Sequence, residues 1–539
     1  MRTASERMDQ GRPYRGSLVG EPSSPPPGSP AELAAFADLQ AQLAPMYRGV
    51  FSDPKEPRTV VVVPSLSLDR AELAKVTGVT HYEERMLCLL MLLRLPRTEV
   101  VYVTSEPIHP AIIDYYLHLL PGVPARHARR RLTMLDCADG SLSALTEKIL
   151  ARPRLVNRIV EAITDRASAH LTCFNATELE RTLAVRLGIP LYACDPALSH
   201  LGTKSGSRRL LRDIGLTVPY GHEDIVDAGG LVEALVDLKR THPGLGGAVV
   251  KLDDGFSGEG NASFSFAEAP ETGLRTWVER ALPTGLRFES TGETYDPYLE
   301  KLGRMAGIVE VFVDGADKRS PSVQSRVNPV GEVEVISTHD QTLGGPSGQV
   351  FLGASFPADP AYCHELHQMG IEVGRRLAGL GVLGRFGVDF ISTRTEEGWW
   401  RHAALEINLR KGGTTLPYMM LEFLTDGVYD LERGEYVTAA GQPRWYVSSD
   451  NVHNPAYRGL TPDDLVDLVV YHGLHFETTT QQGVVFHLMG ALSRYGKLGL
   501  VAVAKDLASA RAIYRDTLSV LDRETGAVGD SRLGIGAPS

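Results

Sequence analysis

The chain has 539 residues, of which 43% are hydrophobic and 22% charged, and its formal net charge is −11 at pH 7. A chain of this length exceeds what one hydrophobic core supports, so we expect about three or four domains. The negative charge argues against a nucleic-acid partner bound by bulk electrostatics, and the longest apolar stretch, Met86 to Leu93, is too short to span a membrane.

The N-terminal segment, residues 1–30, is polar and rich in serine and proline towards its end, which predicts a disordered tail. It lacks the apolar core of a signal peptide, so we expect a cytoplasmic protein. The cysteines are odd in number and have no paired metal-ligand spacing, which predicts buried free thiols in a reducing compartment. They are Cys88, Cys137, Cys173, Cys194 and Cys363.

Residues 31–198 alternate between short β-branched runs and helical patterns, which is typical of an α/β domain with a parallel sheet. The predicted strands are Arg58–Val63, Glu99–Thr104, His170–Asn175 and Ile189–Ala193. The predicted helices are Ala31–Leu43, Tyr82–Leu95, His109–Leu120, Leu142–Ala167 and Ala176–Leu187. No catalytic constellation is visible in this region.

A lysine at the start of a helix opens the next region. Lys204 precedes a helical segment that runs from Arg208 to Ile214 and closes at Gly215. A lysine near the positive end of the helix dipole is unfavourably placed unless an anion compensates it. Lys204 is therefore either an anion-binding residue or a solvated surface lysine.

A glycine-rich hairpin follows over residues 247–266, with Lys251 at the end of its first strand. The residues after the glycines alternate with period two, so the chain leaves the turn as a strand and not as a helix. Both a dinucleotide fingerprint and a P-loop need a helix at that point. The hairpin is either a mobile cover whose backbone N–H groups close over a triphosphate or an ordinary surface turn.

Strands continue beyond the hairpin. Gly307 to Val313 alternates and ends in an Asp-Gly turn, and Ser322, Gln324 and Arg326 share one polar face of a further strand, which suits phosphate or solvent. His339 to Gln349 is predicted to be a second glycine-rich polar loop that is either a connector or substrate-facing.

Two carboxylates carry the strongest chemical signal. If the turn between two predicted strands centres on Glu397 and Gly398, Asp389 lies opposite Glu406 with Cβ atoms roughly 5 Å apart, and Asn408 points to the same face. Opposed carboxylates need a proton or a cation between them. A site with few oxygen ligands from the protein suits Mg²⁺, because this ion usually keeps waters and substrate phosphates as its other ligands. Exposed acids on an outer sheet face remain the alternative. The apolar neighbours predicted to face the other way are Leu405, Ile407 and Leu409.

The segment after these strands, Arg410 to Thr415, offers a cation and backbone N–H groups to an anionic substrate. Further along, helix and strand patterns predict a small α+β domain packed over the site. Its predicted elements are helix Thr461–Tyr471, strands Gly483–Met489 and Gly499–Ala504, and helix Ala508–Asp522.

In this order, Lys204, the Lys251 hairpin, Glu310–Val313, Asp389 and Glu406–Arg410 resemble the ATP-grasp superfamily of carboxylate–amine ligases. Within it, the chain resembles the group that includes the peptide ligase of pheganomycin biosynthesis. The stretches that carry this closer resemblance are Ser320–Gln324, Ser337–Gln341, Gly344–Gln349 and Glu406–Thr415.

The resemblance implies roles for individual residues. The ATP-contacting residues would be Lys204, Lys251, the lid residues Gly255, Ser257, Gly258 and Gly260, and the adenine-reading hinge residues Glu310, Val311, Phe312 and Val313. Asp389, Glu406 and Asn408 would bind one or two Mg²⁺, with Mn²⁺ possible. Arg326 would lie near the γ-phosphate, and Arg410 near the phosphate or an acceptor carboxylate.

The implied architecture combines α/β and α+β domains, with an ATP-grasp fold in two lobes. We expect a pre-ATP-grasp domain at 31–198, the ATP-grasp domain at 199–435 with its lid hairpin at 247–266, a C-terminal domain at 436–527 and a disordered tail at 528–539. The implied reaction is ATP-dependent amide formation through an acylphosphate. The substrates would be amino acids or peptides in specialised metabolism, with no nucleic-acid or membrane partner and a possible homodimer. A phosphotransferase and a degenerate ATP-binding module are the alternatives.

Overall fold

The computed structural model describes residues 24–255, 258, 260–290, 292–315, 317–345 and 348–526. The predicted terminal tails lie largely outside this range. The strands within it form four sheets. The cysteines are all free and buried, as predicted. Among the described residues, no helix has the length and apolar character needed to cross a bilayer.

A parallel sheet of four strands lies at the core of the N-terminal region, in the order β3-β2-β1-β4. All six residues of β1 are buried, because helices cover both faces of the sheet and its valines face apolar neighbours on each side. The strands are β1 Arg58–Val63, β2 Thr98–Thr104, β3 Leu132–Asp136 and β4 Ala169–Cys173. The helices are α1 Pro30–Gln40, α2 Leu43–Met46, α3 Arg70–Lys75, α4 Pro110–His118, α5 Ala125–Arg129, α6 Leu145–Leu150, α7 Pro153–Ala162 and α8 Glu178–Leu187.

Three predicted elements of this region differ in the structure. The long helix predicted over 142–167 is divided between α6 and α7, because Arg152 precedes Pro153 and adopts a non-helical conformation. The helix predicted over 82–95 is present but has the tighter 3₁₀ form, over Val79–Arg94. The strand predicted at 189–193 is reduced to one parallel bridge between Leu171 and Leu191.

The next region, which we call the first lobe, contains an antiparallel sheet in the order β5-β9-β6-β7-β8. Pairing of Lys251 with Asn261 across β6 and β7 confirms the predicted hairpin. The strands are β5 Gly221–His222, β6 Gly247–Leu252, β7 Asn261–Ser265, β8 Leu286–Phe288 and β9 Gly307–Val311. The helices are α9 Lys204–Asp213, α10 Ala228–Thr241, α11 Leu274–Gly285 and α12 Tyr295–Met305.

The second lobe contributes most of a nine-stranded sheet, which has the order β10-β14-β11-β12-β13-β18-β20-β19 and carries β15 on β14. Its strands are β10 Lys318–Arg319, β11 Pro321–Val327, β12 Val333–Gly344, β13 Val350–Phe356, β14 Gly384–Arg394, β15 Trp400–Asn408, β18 Trp445–His453, β19 Gly483–His487 and β20 Lys497–Ala504. A separate hairpin pairs β16 Val428–Asp430 with β17 Glu435–Val437. The helices are α13 Cys363–Gly379, α14 Thr415–Thr425, α15 Pro462–Tyr471, α16 Leu492–Tyr495 and α17 Leu507–Glu524.

This sheet runs across the predicted domain boundary at residue 435. Strand β18 pairs with β13 through Ala354 and Ser448, so the C-terminal strands extend the sheet of the second lobe. One hydrophobic core also joins Val60 of β1, Leu416 of α14 and Leu500 of β20. The C-terminal segment therefore shares both its sheet and its core with the regions before it.

The second glycine-rich loop is shorter than predicted. Strand β12 continues to Gly344, because residues 340–344 pair with β13 from Ser355 back to Val350. His339 and Gln341 consequently lie on a strand and not in a loop. The remaining loop begins at Gly345, whose φ of +83° is readily adopted only by glycine.

Candidate functional site

A cavity of about 370 Å³ lies between the two lobes. The N-terminal region and the C-terminal strands also contribute walls, the latter through Asp450, Asn451 and Lys497. The cavity brings together predicted site residues that are far apart in the sequence. Those that line it are Lys204, Lys251, Gly258, Glu310, Val311, Phe312, Val313, Asp389, Glu406, Asn408 and Arg410.

The carboxylate pair is opposed across two strands, as predicted. Asp389 of β14 pairs with Glu406 of β15, but the turn is centred half a residue earlier than predicted, since Arg394 pairs with Trp400. A β-bulge at Leu405 inserts one residue and restores the alignment of the two acids. Leu405 was predicted to face away from them; the bulge instead places it in the cavity wall.

Ile407 and Leu409 occupy the opposite face, as predicted. Ile407 is buried in the core beneath the sheet, and Leu409 packs against the same core. The cavity face of β15 is therefore ionisable and polar at Glu406 and Asn408, while the other face anchors the strand. This two-sided arrangement fixes where the carboxylates point.

Amide and ammonium groups surround the two carboxylates. Asn408 Nδ2 donates to Asp389 Oδ2 at 3.0 Å and to Glu406 Oε1 at 3.2 Å, and Gln341 Nε2 donates to Asp389 Oδ1 at 2.7 Å. Burial, followed by repulsion from Glu406, raises the pKa of Asp389 to about 7. Burial also acts to raise the pKa of Glu406, but attraction to Lys204 and Lys251 outweighs it and lowers that pKa to about 2.

Each lysine of the predicted phosphate site has a carboxylate partner. Lys204 forms an ion pair with Glu406, which supplies the anion that its position at the start of α9 predicts. Lys251 Nζ lies 2.7 Å from Glu310 Oε1, and Arg208 pairs with the other oxygen of Glu310. These residues are largely buried, so their charges are balanced inside the protein.

The donor chemistry at this site fits a divalent cation. The Asn408 amide nitrogen contacts both Asp389 and Glu406, and the Lys204 ammonium contacts the other oxygen of Glu406. Rotation of the Asn408 amide would present its oxygen beside two carboxylates. Among the described residues, no group of three or more His, Cys, Asp or Glu side chains has metal-site geometry. A cation here would therefore depend on water or ligand oxygens, as Mg²⁺ commonly does.

The tip of the glycine hairpin approaches the second glycine-rich loop. A Cβ atom at Gly258 would lie 2.4 Å from the backbone oxygen of Gln349, and Asn261 Nδ2 lies 3.0 Å from Gln349 Oε1. Gly255 and Gly260 form the neck of the hairpin, since a Cβ atom at Gly260 would lie 3.0 Å from the Gly255 Cα. Ser257 lies outside the described residues. Gly258 and Gln349 both line the cavity, so the hairpin and the second loop meet at its wall.

Arg326 does not line the cavity, contrary to the predicted role near phosphate. It lies on the same strand as Ser322 and Gln324, which do line the cavity, but further along β11. Its guanidinium forms an ion pair with Glu334 of the neighbouring strand β12. Residue alternation predicted the shared face correctly but not where along the strand the cavity ends.

The structure adds cavity residues that sequence reasoning missed. Gln341 contacts Asp389 from β12, and Arg85 and Phe174 enter from the N-terminal region. Burial lowers the pKa of Arg410, Glu406 and Asp389 oppose this shift, and Arg85 adds to it. In the sequence, Arg85 stands out only as part of a charged triplet, residues 83–85, beside an apolar run. That pattern does not indicate that Arg85 reaches a site built by distant residues.

Comparison with protein families gives two matches. Residues 196–281 and 285–432 match the family described as IQCH-like, ATP-grasp. Residues 464–517 match the family described as PGM1 C-terminal domain. The first match spans the two lobes that enclose the cavity, and the second covers β19, β20 and most of helices α15 and α17 but not β18.

Two curated proteins are similar in sequence. L-propargylglycine–L-glutamate ligase of Streptantibioticus cattleyicolor is 30% identical over 459 residues, which cover 83% of this chain and 91% of the relative. IQ motif-containing protein H of Danio rerio is 22% identical over 553 residues, which cover 92% of this chain and 51% of that protein. The chain therefore spans nearly all of the first relative and about half of the second.

Solved structures share the fold at low sequence identity. The biotin carboxylase domain of Hydrogenobacter thermophilus 2-oxoglutarate carboxylase aligns with a TM-score of 0.53 and 13% identity, covering 86% of this chain and 89% of that one. The β,γ-ATP complex of Campylobacter jejuni biotin carboxylase gives a TM-score of 0.51 and 12% identity, covering 86% of this chain and 91% of that one. At these identities the likeness concerns the fold.

Proposed function

Because the chain belongs to the ATP-grasp carboxylate–amine ligases, we propose that the cavity between its lobes is where ATP, a divalent cation and two amino-acid or peptide substrates meet. The enzyme is an ADP-forming ligase of carbon–nitrogen bonds. One observation carries the assignment of the site. Asp389, Glu406 and Asn408 face the same cavity as Lys204 and Lys251.

The two lysines are the proposed phosphate contacts. Each already has a carboxylate partner, so phosphate oxygens would compete with Glu406 for Lys204 and with Glu310 for Lys251. Glu310 would keep its pairing with Arg208 when Lys251 turns to phosphate. Glu406, released by Lys204, would then be available to a cation. The exchange moves charge between partners without leaving a buried carboxylate unpaired.

Asp389, Glu406 and Asn408 are the proposed ligands of the cation, for which we propose Mg²⁺. When bound, Mg²⁺ and ATP supply charge neutralisation and the phosphoryl group that converts a substrate carboxylate into an acylphosphate, from which an amine displaces phosphate to form the amide. Gln341 would hold Asp389 in position through its 2.7 Å hydrogen bond. The residues Glu310–Val313, which connect the lobes, would line the nucleobase.

The substrates are proposed from chemistry and from the similar ligase. That relative's name specifies L-propargylglycine and L-glutamate, two α-amino acids. The cavity of this chain is rich in cations, with Arg85, Arg410 and Lys497 in its wall beside the lysines of the phosphate site. We propose amino acids, including acidic ones, or short peptides of specialised metabolism as its substrates.

A pairwise screen tests this function. Purified full-length protein is incubated with ATP, Mg²⁺ and pairs of amino acids that include L-glutamate. We expect ADP and free phosphate in equal amounts, and a product whose mass is that of the two substrates minus one water. Omission of either amino acid should abolish phosphate release above the background.

Two other outcomes would contradict the proposal. ADP formation without free phosphate, together with a phosphorylated product, would identify a phosphotransferase. ATP binding without turnover on any amino-acid or dipeptide pair would indicate a binding module. Glu397→Gln is a suitable control variant for the assay, because this residue lies in the exposed turn between β14 and β15.

A further inference from the structure

Arg85 lies in the cavity wall with part of its hydrogen-bonding capacity unused. It belongs to the 3₁₀ helix Val79–Arg94 of the N-terminal region and is 5% exposed. Its Nη1 lies 3.3 Å from Asp450 Oδ2. Its Nε and Nη2 have no hydrogen-bond partner among the described residues.

Aromatic rings confine the guanidinium. Its central carbon lies 4.6 Å from the ring centre of Tyr82 and 4.3 Å from that of Phe174. Such stacking stabilises a cation but satisfies none of its N–H groups. Asp450 engages one nitrogen, which fixes the orientation of the planar group. The edge formed by Nε and Nη2 is buried and has no hydrogen-bond partner among the described residues.

That edge has the geometry of a carboxylate receptor. Nε–H and one N–H of Nη2 point in parallel, and such a pair matches the two oxygens of a carboxylate. Leaving both N–H groups buried without a partner is energetically costly, so the arrangement favours an anionic ligand. Lys497 lies close by, with Nζ 2.7 Å from the Tyr82 hydroxyl, and strengthens the positive potential.

We propose that the Nε/Nη2 edge of Arg85 binds a carboxylate of an amino-acid or peptide substrate, and that this carboxylate does not react. The proposal rests on the proposed function for the identity of the substrate. Arg85 is thus a specificity-determining residue supplied by the N-terminal region, and Asp450 is a positioning residue supplied by the C-terminal strands. The carboxylate that is activated would lie instead at the Asp389 and Glu406 pair.

The separation of the two roles follows from the charges. A carboxylate held by both nitrogens of a guanidinium is stabilised as an anion and is a weaker nucleophile. Arg410 lines the same cavity as Arg85, Glu406 and Asp389. A substrate with two charged ends can therefore be held at Arg85 while its other end reaches the phosphate site.

The first test measures binding without turnover. The full-length protein, with and without ADP and Mg²⁺, is titrated calorimetrically with each of the common amino acids and with the α-carboxamide of each one that binds. We expect at least one amino acid to bind and its carboxamide to bind about 100-fold more weakly. Absence of binding by every amino acid, or equal affinity for acid and carboxamide, would overturn the proposal.

Variants connect the effect to this residue. Arg85→Lys keeps the positive charge but removes the parallel pair of N–H donors, and Arg85→Met removes both the charge and the donors. We expect each variant to lose most of the preference for the carboxylate while the affinity for the carboxamide stays within about 3-fold of the wild type. Equal losses for acid and carboxamide would show that Arg85 is merely structural. Arg85→Lys keeps the test valid if Arg85→Met fails to fold.

Arg94→Met is the matched control. Arg94 ends the same 3₁₀ helix but pairs with Asp426 and stacks on Phe423, outside the cavity wall. It should retain the full preference for the carboxylate. The result is also distinguishable from a failure of the proposed function: carboxylate binding through Arg85 without ATP turnover would contradict the ligase activity of the site and leave the subsite in place.

Discussion

Two sets of cations face the cavity, and they differ in how they are paired. Lys204 and Lys251 each contact a carboxylate of the protein, whereas Arg85 has one carboxylate at 3.3 Å and two nitrogens without a hydrogen-bond partner among the described residues. The paired lysines balance their charge before any ligand arrives. Arg85 combines its single ion pair with stacking on two aromatic rings. The lysines thus form a prebuilt site for a ligand that does not vary. Arg85 instead suits a site that selects among different ligands.

The largest effect is expected at the carboxylate pair. Glu406→Gln removes the acid that pairs with Lys204 and faces Asp389, so both the proposed cation site and the charge balance of the lysine are lost. We expect kcat to fall on the order of 1,000-fold, measured as phosphate release at saturating ATP.

Glu397→Gln, in the turn of the same hairpin, is the control and should behave as the wild type. A kcat for Glu406→Gln within 10-fold of the wild type, at any Mg²⁺ or Mn²⁺ concentration, would remove Glu406 from the proposed cation site. Thermal unfolding of both variants separates a loss of chemistry from a loss of structure.

An intermediate effect is expected at Lys251. Lys251→Met deletes one phosphate-facing charge, but Glu310 retains Arg208, so the local fold should persist. We expect the KM for ATP to rise about 30-fold, in line with the loss of one charge-assisted hydrogen bond. The KM values for the amino acids should change little.

Lys239→Met in α10 is a suitable comparison, because that lysine binds backbone oxygens of Pro243 and Leu245 away from the cavity. If Lys251→Met alters the KM of an amino acid more than that of ATP, the assignment of the paired lysines to phosphate is wrong.

The smallest effect is expected at Arg326. Its ion pair with Glu334 is partly exposed, with 29% and 35% of the two side chains accessible, and lies outside the cavity wall. We expect Arg326→Met to lower the unfolding free energy by less than about 1 kcal/mol and to leave kcat/KM within about 3-fold of the wild type. A loss of 100-fold in kcat/KM with an unchanged Tm would restore the catalytic role predicted from the sequence.

Local sequence patterns predicted the parts of the fold that depend on local physics. The β-branched run at Arg58–Val63 forms the buried strand β1, and the alternation after the glycines at 255–260 forms β7. Pro153 shows the limit of such patterns, since helical periodicity continues through it while the backbone before it does not. The 3₁₀ conformation of Val79–Arg94 has no distinct periodic signature over so apolar a segment.

The candidate site was predictable where one hairpin builds it. Asp389 and Glu406 lie on adjacent strands joined by a short turn, so their opposition followed from strand pairing, although a bulge at Leu405 was needed to preserve it. Arg85 was not predictable, because three distant segments bring together Arg85, Phe174 and Asp450. Long-range packing decides such contacts, and no spacing along one segment encodes them.

The continuous sheet through β13 and β18 has a consequence for how this chain can be recombined. A crossover between homologous genes near residue 435 would pair β13 of one parent with β18 of the other and build from both parents a core that Val60, Leu416 and Leu500 share. Side chains that do not match across this pairing and this core would lower the stability of the chimera. The C-terminal segment is therefore not an exchangeable cassette. Chimeras that transfer substrate preference should keep the N-terminal region and the C-terminal strands from one parent.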